Sequence, residues 1–548
     1  MPRSGHVDSF TRDHLPPPEE LPEFRFTQPD LRYPERLNCV SKLLDRWIAA
    51  GKGDQPCLIT PTETLTYKAL QERVNRIANV LTRDLGMQTG NRVLLRGPNN
   101  AMMAAAWLAV IKAGGVSVAT MPLLRARELA YPIAKAKIAL ALCDARLGDD
   151  LEKAKEQSND LARIVYWGSD RADDLTKLML KPGYERFEAA DTASDDVCLI
   201  AFTSGTTGEP KGTMHFHRDM LATCDTYGNH VLRPVASDRF IGSAPLAFTY
   251  GLGGHLLFPM RVGASSILIE RATPDELFGA IATHRATVCF TAPTAYRVIL
   301  PKLASHDISS LKKCVSAGET LPKATFEAWH KATGVRIMDG LGSTEMLHIF
   351  IGAADDDAHA GATSRVVPGY EARVVDEAGR ELPPGTVGRL AVRGPTGCRY
   401  LADARQRKYV EGGWNMPGDT YMMDTAGYFY YQARSDDMII SAGYNIAGPE
   451  VEAALLTHPA VAECGVVGAP DQDRGMIVKA YVVLRPDRTG DAGLTKLLQD
   501  YVKEQIAPFK YPRAIEYVTE LPKTPTGKLQ RFELRRMAAA AAGQKLAS

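Results

Sequence analysis

A run of ten residues rich in glycine and hydroxyl groups is the first feature of the sequence that could do chemistry. It reads Thr203-Ser204-Gly205-Thr206-Thr207-Gly208-Glu209-Pro210-Lys211-Gly212, and it follows the apolar stretch 197–202, which predicts a buried strand. Glycines let backbone N–H groups approach phosphate oxygens, hydroxyls donate further hydrogen bonds, and Lys211 adds positive charge. The pattern therefore predicts a triphosphate cradle in preference to a plain surface turn.

The loop is not a Walker loop, because Pro210 stands where that motif requires the glycine of Gly-Lys-Ser/Thr. Three further motifs follow along the chain. They are Asp339-Gly340-Leu341-Gly342-Ser343-Thr344-Glu345, then Gly418-Asp419 with Arg434-Ser435-Asp436-Asp437, and last Pro522-Lys523-Thr524-Pro525-Thr526-Gly527-Lys528. In type and order the four motifs resemble the signatures of the adenylate-forming superfamily, which includes acyl-CoA synthetases, luciferases and peptide-synthetase adenylation domains.

This resemblance implies a two-step reaction that uses ATP, Mg²⁺ and coenzyme A. A carboxylate first attacks the α-phosphate of ATP to give acyl-AMP, and the CoA thiol then displaces AMP. Because the first step brings two anions together, fixed positive charge must meet the developing charge. The resemblance assigns catalytic roles to Lys528, Glu345 and Lys211.

The same resemblance assigns the binding roles. It places the triphosphate on Thr203, Ser204, Gly205, Thr206, Thr207 and Gly208, and adenine and phosphates near Asp339, Gly340 and Thr344. The ribose is assigned to Asp419 and Arg434, and Mg²⁺ to Glu345 and Thr206. CoA is expected near Gly443 and Tyr444. Asp436 is the implied hinge about which a C-terminal domain rotates between the two steps. Taken singly, these residues could also be a solvated lysine, a helix-start carboxylate, a surface ion pair and a turn aspartate.

Two segments bear on which acid is used. Residues 245–254 are apolar and rich in glycine, and 346–350 resemble the corresponding stretch of benzoate and 2-aminobenzoate CoA ligases. The resemblance places Thr249, Tyr250, His348 and Ile349 around an aryl ring. Thr249 stands where a smaller residue is expected in a benzoate enzyme, and this departure leaves the substituent on the ring open. The alternatives are core packing for both segments, a ligase for medium-chain aliphatic acids, or an enzyme that loads a carrier protein.

Helical segments alternate with short β-branched runs over most of the chain, which predicts an α/β fold with largely parallel sheets. Short strands and turns over 369–393 predict a small antiparallel sheet or β-barrel. We expect a large N-terminal domain, 1–434, with two βαβ-type sheets and this barrel. A small mobile α+β domain, 435–548, is expected to follow it.

Composition narrows the partners. Lys plus Arg number 65 against 64 Asp plus Glu, so no global charge attracts nucleic acid or an anionic membrane. The nine cysteines are scattered and predict buried thiols in a reducing cytoplasm, and residues 1–20 lack the apolar core of a signal peptide. His215 and His217 lack a third ligand nearby in sequence, so we interpret them as loop and helix-start residues. A homodimer is compatible with the sequence.

Overall fold

The structure is a computed structural model. It describes residues 3–203, 210–319, 321–434, 437–441, 444–471, 475–486, 488–506, 508–523 and 527–541, and at positions 355, 434, 440, 444, 445 and 475 it describes the backbone only. Sequence assignments at Ser204, Gly205, Thr206, Thr207, Gly208, Asp436 and Gly443 lie outside these residues.

The first sheet delivers the glycine-rich loop. In spatial order its six strands are Arg163–Trp167, Leu140–Asp144, Arg92–Arg96, Val116–Thr120, Val197–Phe202 and Gly212–Phe216. All neighbours are parallel except the last pair, which is antiparallel. Its strands are buried almost throughout, as is typical of a sheet covered by helices on both faces.

The second sheet carries most of the remaining N-terminal motifs. In spatial order its eight strands are Ile349–Gly352, Ile337–Gly342, Lys313–Ala317, Val288–Thr291, Arg239–Gly242, Ser265–Ile267, Pro56–Ile59 and Thr64–Thr66. The interior strands are parallel and each end strand is antiparallel to its neighbour. Two βαβ-type sheets, as the alternation predicted, are therefore confirmed.

Helices pack on these sheets and enclose three large hydrophobic clusters. The longer ones are Tyr67–Asn79, Ala101–Lys112, Ala126–Lys135, Gly148–Glu156, His217–Thr223, Pro274–His284, Pro293–Ile299 and Lys323–Thr333. A further helical run comprises Thr249–Leu252, a π-helical turn at Gly253–Leu257 and Phe258–Val262. Helix Ala101–Lys112 is buried on nearly every face, which explains its uninterrupted apolar sequence.

Two smaller sheets follow. The third is antiparallel and contains Glu371–Val375, Val387–Arg393, Val410–Glu411, Trp414–Asn415, Asp419–Met423 and Phe429–Arg434. The fourth contains Ile439–Ser441, Tyr444–Ile446, Val461–Asp471, Gly475–Leu484 and Ala514–Tyr517, with helices Gly448–Leu456, Ala492–Gln505 and Arg531–Ala541. The antiparallel sheet and the C-terminal α+β unit are as predicted. The exact boundary at 434/435 stays a prediction.

None of the helices in the described part of the chain has the length and apolarity that crossing a membrane requires. All nine cysteines are buried and unpaired, which confirms the prediction of buried thiols.

Candidate active site

Two strands of the first sheet form the base of the glycine-rich loop. Phe202 and Gly212 are register partners at the end of an antiparallel hairpin. One residue further on, the N–H of Thr203 donates to the carbonyl of Lys211 at 3.0 Å, and the N–H of Lys211 donates to Oγ1 of Thr203 at 3.3 Å. The hairpin therefore fixes both ends of the predicted phosphate cradle, and it brings Lys211 to the site.

Lys211 lies beside a buried carboxylate. Its Nζ is 3.5 Å from Oε1 of Glu345, and the hydroxyl of Tyr400 donates to the same oxygen at 2.5 Å. The Lys211 ammonium also sits 4.8 Å from the ring centroid of Tyr400, a cation–π contact. Burial and the neighbouring Glu345 raise the pKa of Tyr400, so its hydroxyl stays protonated and donates.

Tyr400 is a site residue that sequence reasoning missed. It is held next to the loop because Thr213 and Tyr400 form an antiparallel β-bridge and the N–H of Leu401 donates to the carbonyl of Gly212 at 2.8 Å. No short motif surrounds Tyr400, so only the fold reveals its proximity to Glu345.

A buried polar network supports the turn at Thr344, which precedes Glu345. Nε2 of His215 lies 2.8 Å from the Thr344 carbonyl, so this nitrogen donates. Asp219 pairs with Arg399 at 2.7 Å, and both side chains are fully buried. His215 lies on the strand Gly212–Phe216 and not in a loop, so that part of our interpretation is wrong. Every residue of this strand is buried, so the sequence lacks the alternation of apolar and polar residues by which a half-buried strand is recognised.

His217 begins helix His217–Thr223, as expected, but ligand-type residues do lie nearby. The sulfur atoms of Cys39 and Cys198 and a ring nitrogen of His217 lie within 4.8 Å of one another. They come from distant parts of the sequence. Nδ1 of His217 accepts a hydrogen bond from the Cys39 N–H at 3.2 Å, so that lone pair is already used within the protein.

Asp339 and Gly340 lie on the strand Ile337–Gly342 of the second sheet. Burial raises the pKa of Asp339 to about 8, and its Oδ1 has no hydrogen-bond partner within the described residues. In the third sheet Asp419 and Arg434 are register partners across two antiparallel strands, which brings the two predicted ribose contacts together. Asp419 is buried.

Two residues of the predicted acid pocket, Tyr250 and His348, lie together in a cluster of aromatic rings centred on His348. The ring of Tyr250 stacks on His348 at 5.6 Å between centroids, and Phe258 meets it edge-on at 4.6 Å. Tyr227 and Phe290 lie 5.8 and 6.2 Å away. Tyr227, Phe258 and Phe290 were not predicted, because they come from three separate elements.

Glycines provide the space for this cluster. A Cβ on Gly253 would lie 2.3 Å from Cδ2 and 2.4 Å from Nε2 of His348, and a Cβ on Gly340 would lie 2.8 Å from Cδ1 of Ile349. All three distances are shorter than non-bonded heavy atoms tolerate. Thr249 is also buried, at the start of the helical run. The four predicted pocket residues therefore lie on two adjoining segments whose close approach depends on glycine.

Lys528 reaches the same region from the C-terminal unit. Its Nζ lies 3.6 Å from the position that a Cβ on Gly318 would occupy. Gly318 directly follows the strand Lys313–Ala317, whose Ala317 is the register partner of Gly340. Lys528 is thus at the carboxyl ends of two parallel strands, the place where open α/β sheets bind ligands. Tyr444, which the sequence assigned to CoA binding, is the register partner of Ser441 in the fourth sheet of the same C-terminal unit.

Comparison with known proteins agrees with this geometry. Residues 45–400 match the family "AMP-binding enzyme", and residues 450–528 match "AMP-binding enzyme C-terminal domain". The chain belongs to the AMP-binding enzyme family. The prediction of an adenylate-forming enzyme, with a large N-terminal part and a small C-terminal one, is confirmed.

Particular relatives are similar over nearly their whole length. A benzoate–CoA ligase of Thauera aromatica is 37% identical over 515 residues, which cover 93% of this chain and 98% of that protein. The anthranilate CoA ligase AuaEII, crystallised with anthranoyl-AMP, superposes with a TM-score of 0.89 at 35% identity and covers 94% of this chain and 100% of that one. A benzoate CoA ligase from Burkholderia xenovorans LB400 superposes with a TM-score of 0.83 at 34% identity, and the match covers 91% of this chain and 100% of that one. The predicted resemblance to aryl acid–CoA ligases is confirmed.

Proposed function

We propose that this enzyme activates a small aromatic carboxylate, of the benzoate or 2-aminobenzoate type, as acyl-AMP and transfers the acyl group to CoA. The observation that carries the proposal is the ring cluster around His348, next to Gly340 and at the same sheet edge as Lys528. Flat apolar walls suit an aryl ring, and the lysine supplies positive charge where two anions must meet.

Lys528 and Lys211 would share the charge that develops during adenylation. Lys211 is held beside Glu345 and Tyr400 at the base of the phosphate loop, which fits contact with the triphosphate. Lys528 comes from the opposite side, near Gly318. Thr203, Ser204, Gly205, Thr206, Thr207 and Gly208 would complete the cradle with backbone N–H groups and hydroxyls.

The nucleoside would lie between the second and third sheets. Asp339 Oδ1 is a buried polar atom without a partner in the part of the chain described, so an exocyclic amino group of adenine would satisfy it. Asp419 would accept from the ribose hydroxyls and Arg434, its register partner, would donate to them.

Magnesium would enter with ATP. Glu345 is a nearly buried carboxylate, and its contacts with Tyr400 and Lys211 both fall on Oε1. Oε2 would then serve the cation, together with Thr206 and Thr344, since hard oxygen ligands suit Mg²⁺. The cation neutralises phosphate charge when bound.

The second step needs a different approach to the acyl carbon, so one rigid site serves both steps poorly. We infer that residues 435–548 rotate about Asp436, withdraw Lys528 and bring Gly443 and Tyr444 to the CoA thiol.

A cytoplasmic location fits the nine buried free thiols. The homodimer stays a prediction, which light scattering would test.

A substrate panel tests the proposal. Acyl-CoA products are measured by mass spectrometry after incubation with ATP, Mg²⁺, CoA and one acid each: benzoate, 2-aminobenzoate, 2-hydroxybenzoate, phenylacetate or hexanoate. We expect the benzoates to give the highest kcat/KM. A clear preference for hexanoate would instead favour the aliphatic ligase, and formation of acyl-AMP without acyl-CoA would favour a carrier-protein acceptor.

A further inference from the structure

His348 carries an unused hydrogen-bonding atom inside the aromatic cluster. The residue is 3% exposed and four aromatic rings surround it. Its Nδ1 has no hydrogen-bond partner anywhere in the described ranges. Because buried polar atoms are nearly always paired in folded proteins, this atom points to a ligand.

The surroundings determine which kind of partner Nδ1 needs. Nε2 of His348 faces the carbonyl oxygen of Tyr250 at 3.4 Å, and a carbonyl can only accept. Burial lowers the pKa of His348 to about 3, so the ring is neutral and carries one proton. That proton therefore belongs on Nε2, and Nδ1 presents a lone pair.

The ring is also fixed in orientation. Its Cδ2–Nε2 edge lies against Gly253, and Nε2 is 2.4 Å from the position that a Cβ on this glycine would occupy. Nδ1, on the opposite side of the ring, therefore lies away from Gly253. Gly253 has helical backbone angles that any residue can adopt, with φ at −59°, so the glycine is required for space and not for conformation. A flip of the ring would place a C–H opposite the Tyr250 carbonyl and lose that contact.

We propose that the acid used by this enzyme carries a ring amino or hydroxyl group that donates a hydrogen bond to Nδ1 of His348. The proposal rests on the aryl acid–CoA ligase function and narrows its substrate class from benzoates in general to substituted benzoates. A site that pairs a substrate N–H or O–H disfavours the analogue without it, because the buried acceptor is then left unpaired.

The experiment compares kcat/KM for benzoate with the values for the 2-, 3- and 4-amino and hydroxy benzoates in three proteins. These are the natural enzyme, His348→Asn, which keeps an acceptor where Nδ1 was, and His348→Leu, which keeps volume but removes the acceptor. In the natural enzyme we expect one substituted acid to exceed benzoate by about ten- to a hundredfold. The ratio of kcat/KM for that substituted acid to kcat/KM for benzoate should fall to near one in His348→Leu. In His348→Asn this ratio should be largely retained.

Two results would overturn the inference. One is a natural enzyme that uses benzoate as well as every substituted acid; the other is a preference that survives intact in His348→Leu. Both still leave an aryl acid–CoA ligase. Failure of all benzoates, with turnover of hexanoate, would instead contradict the proposed function itself. ATP KM and circular dichroism of each variant report whether the ATP site and fold are intact.

Discussion

The ring of His348 occupies the space that a side chain on Gly253 would need, with Nε2 only 2.4 Å from the Cβ position. Gly253 stands in a π-helical turn with helical backbone angles, where glycine costs about 1 kcal/mol relative to alanine. The glycine therefore positions His348, and through it one wall of the proposed acid pocket.

Gly253→Ala is expected to displace His348 and reduce kcat/KM for the preferred aromatic acid by about ten- to a hundredfold, mainly through KM. In a His348→Ala background the same change should have a much smaller further effect, because the clash with His348 is gone and only the contact with Cε2 of Phe258, at 3.0 Å, remains. The matched control is Gly279→Ala in helix Pro274–His284, where a Cβ would have nothing within 4 Å. Equal losses for Gly253→Ala in both backgrounds would show that Gly253 acts independently of His348.

Tyr400→Phe removes the hydroxyl that donates to Glu345 at 2.5 Å and keeps the ring beneath Lys211. Because a charge-assisted hydrogen bond is lost, we expect adenylation to slow by about tenfold and to need more Mg²⁺. Thioester formation from supplied acyl-AMP should be unchanged.

The control for this change is Tyr409→Phe, which removes a hydroxyl 3.3 Å from Ser343 and leaves Glu345 untouched. Rates of pyrophosphate release against Mg²⁺ concentration separate the two variants. An unaltered Mg²⁺ dependence in Tyr400→Phe would mean that Tyr400 does not orient Glu345.

Asp339 links stability to pH. Burial raises the pKa of its carboxyl from 3.8 to about 8, so between these values the folded state binds more protons than the unfolded state. The contribution of Asp339 to the free energy of unfolding therefore falls as pH rises through this window and is constant above it. Asp339→Asn should remove this effect and raise the free energy of unfolding by about 2–4 kcal/mol at pH 9.

Melting temperatures of the natural enzyme and Asp339→Asn, measured without nucleotide from pH 4.5 to 9, check this. The difference should grow with pH and level off above about pH 8. A difference that does not change with pH would show that the Asp339 carboxyl titrates normally. The control is Asp424→Asn at a half-buried turn, where a hydrogen bond from the Tyr428 N–H lowers the pKa of the carboxyl instead of raising it.

The sequence predicted the parts of the site in which one short segment carries the chemistry. The loop before Lys211 and the segment from Asp339 to Glu345 are continuous, so their residues are visible in order. Tyr400 is 55 residues from Glu345, and only the bridge to Thr213 brings it close. Likewise, nothing in the sequence shows that Gly253 makes room for His348, because a steric requirement between distant segments leaves no local pattern.

Fold class was accessible for a similar reason. Alternating helices and β-branched runs predicted the parallel sheets. Turn sequences over 369–393 predicted an antiparallel sheet, which in the structure extends further, to Arg434. Full burial of the strand Gly212–Phe216 masked its period, so His215 was misassigned to a loop.

Lys528 is the residue on which the account depends most directly. Its matched control is Lys523→Ala in the same segment, since Lys523 pairs with Glu463 within the C-terminal unit. Both variants should fold, because Lys528 is exposed and packs no core.

The decisive measurement is acid-dependent exchange of labelled pyrophosphate into ATP without CoA, run beside thioester formation from supplied acyl-AMP. For the natural enzyme and Lys523→Ala we predict rapid pyrophosphate exchange with a benzoate-type acid. Lys528→Ala should lower the exchange rate by about a hundred- to a thousandfold. Its rate of thioester formation from acyl-AMP should stay within a few-fold of that of the natural enzyme. Equal loss of both steps in Lys528→Ala, or no exchange with any aromatic acid in the natural enzyme, would contradict the account.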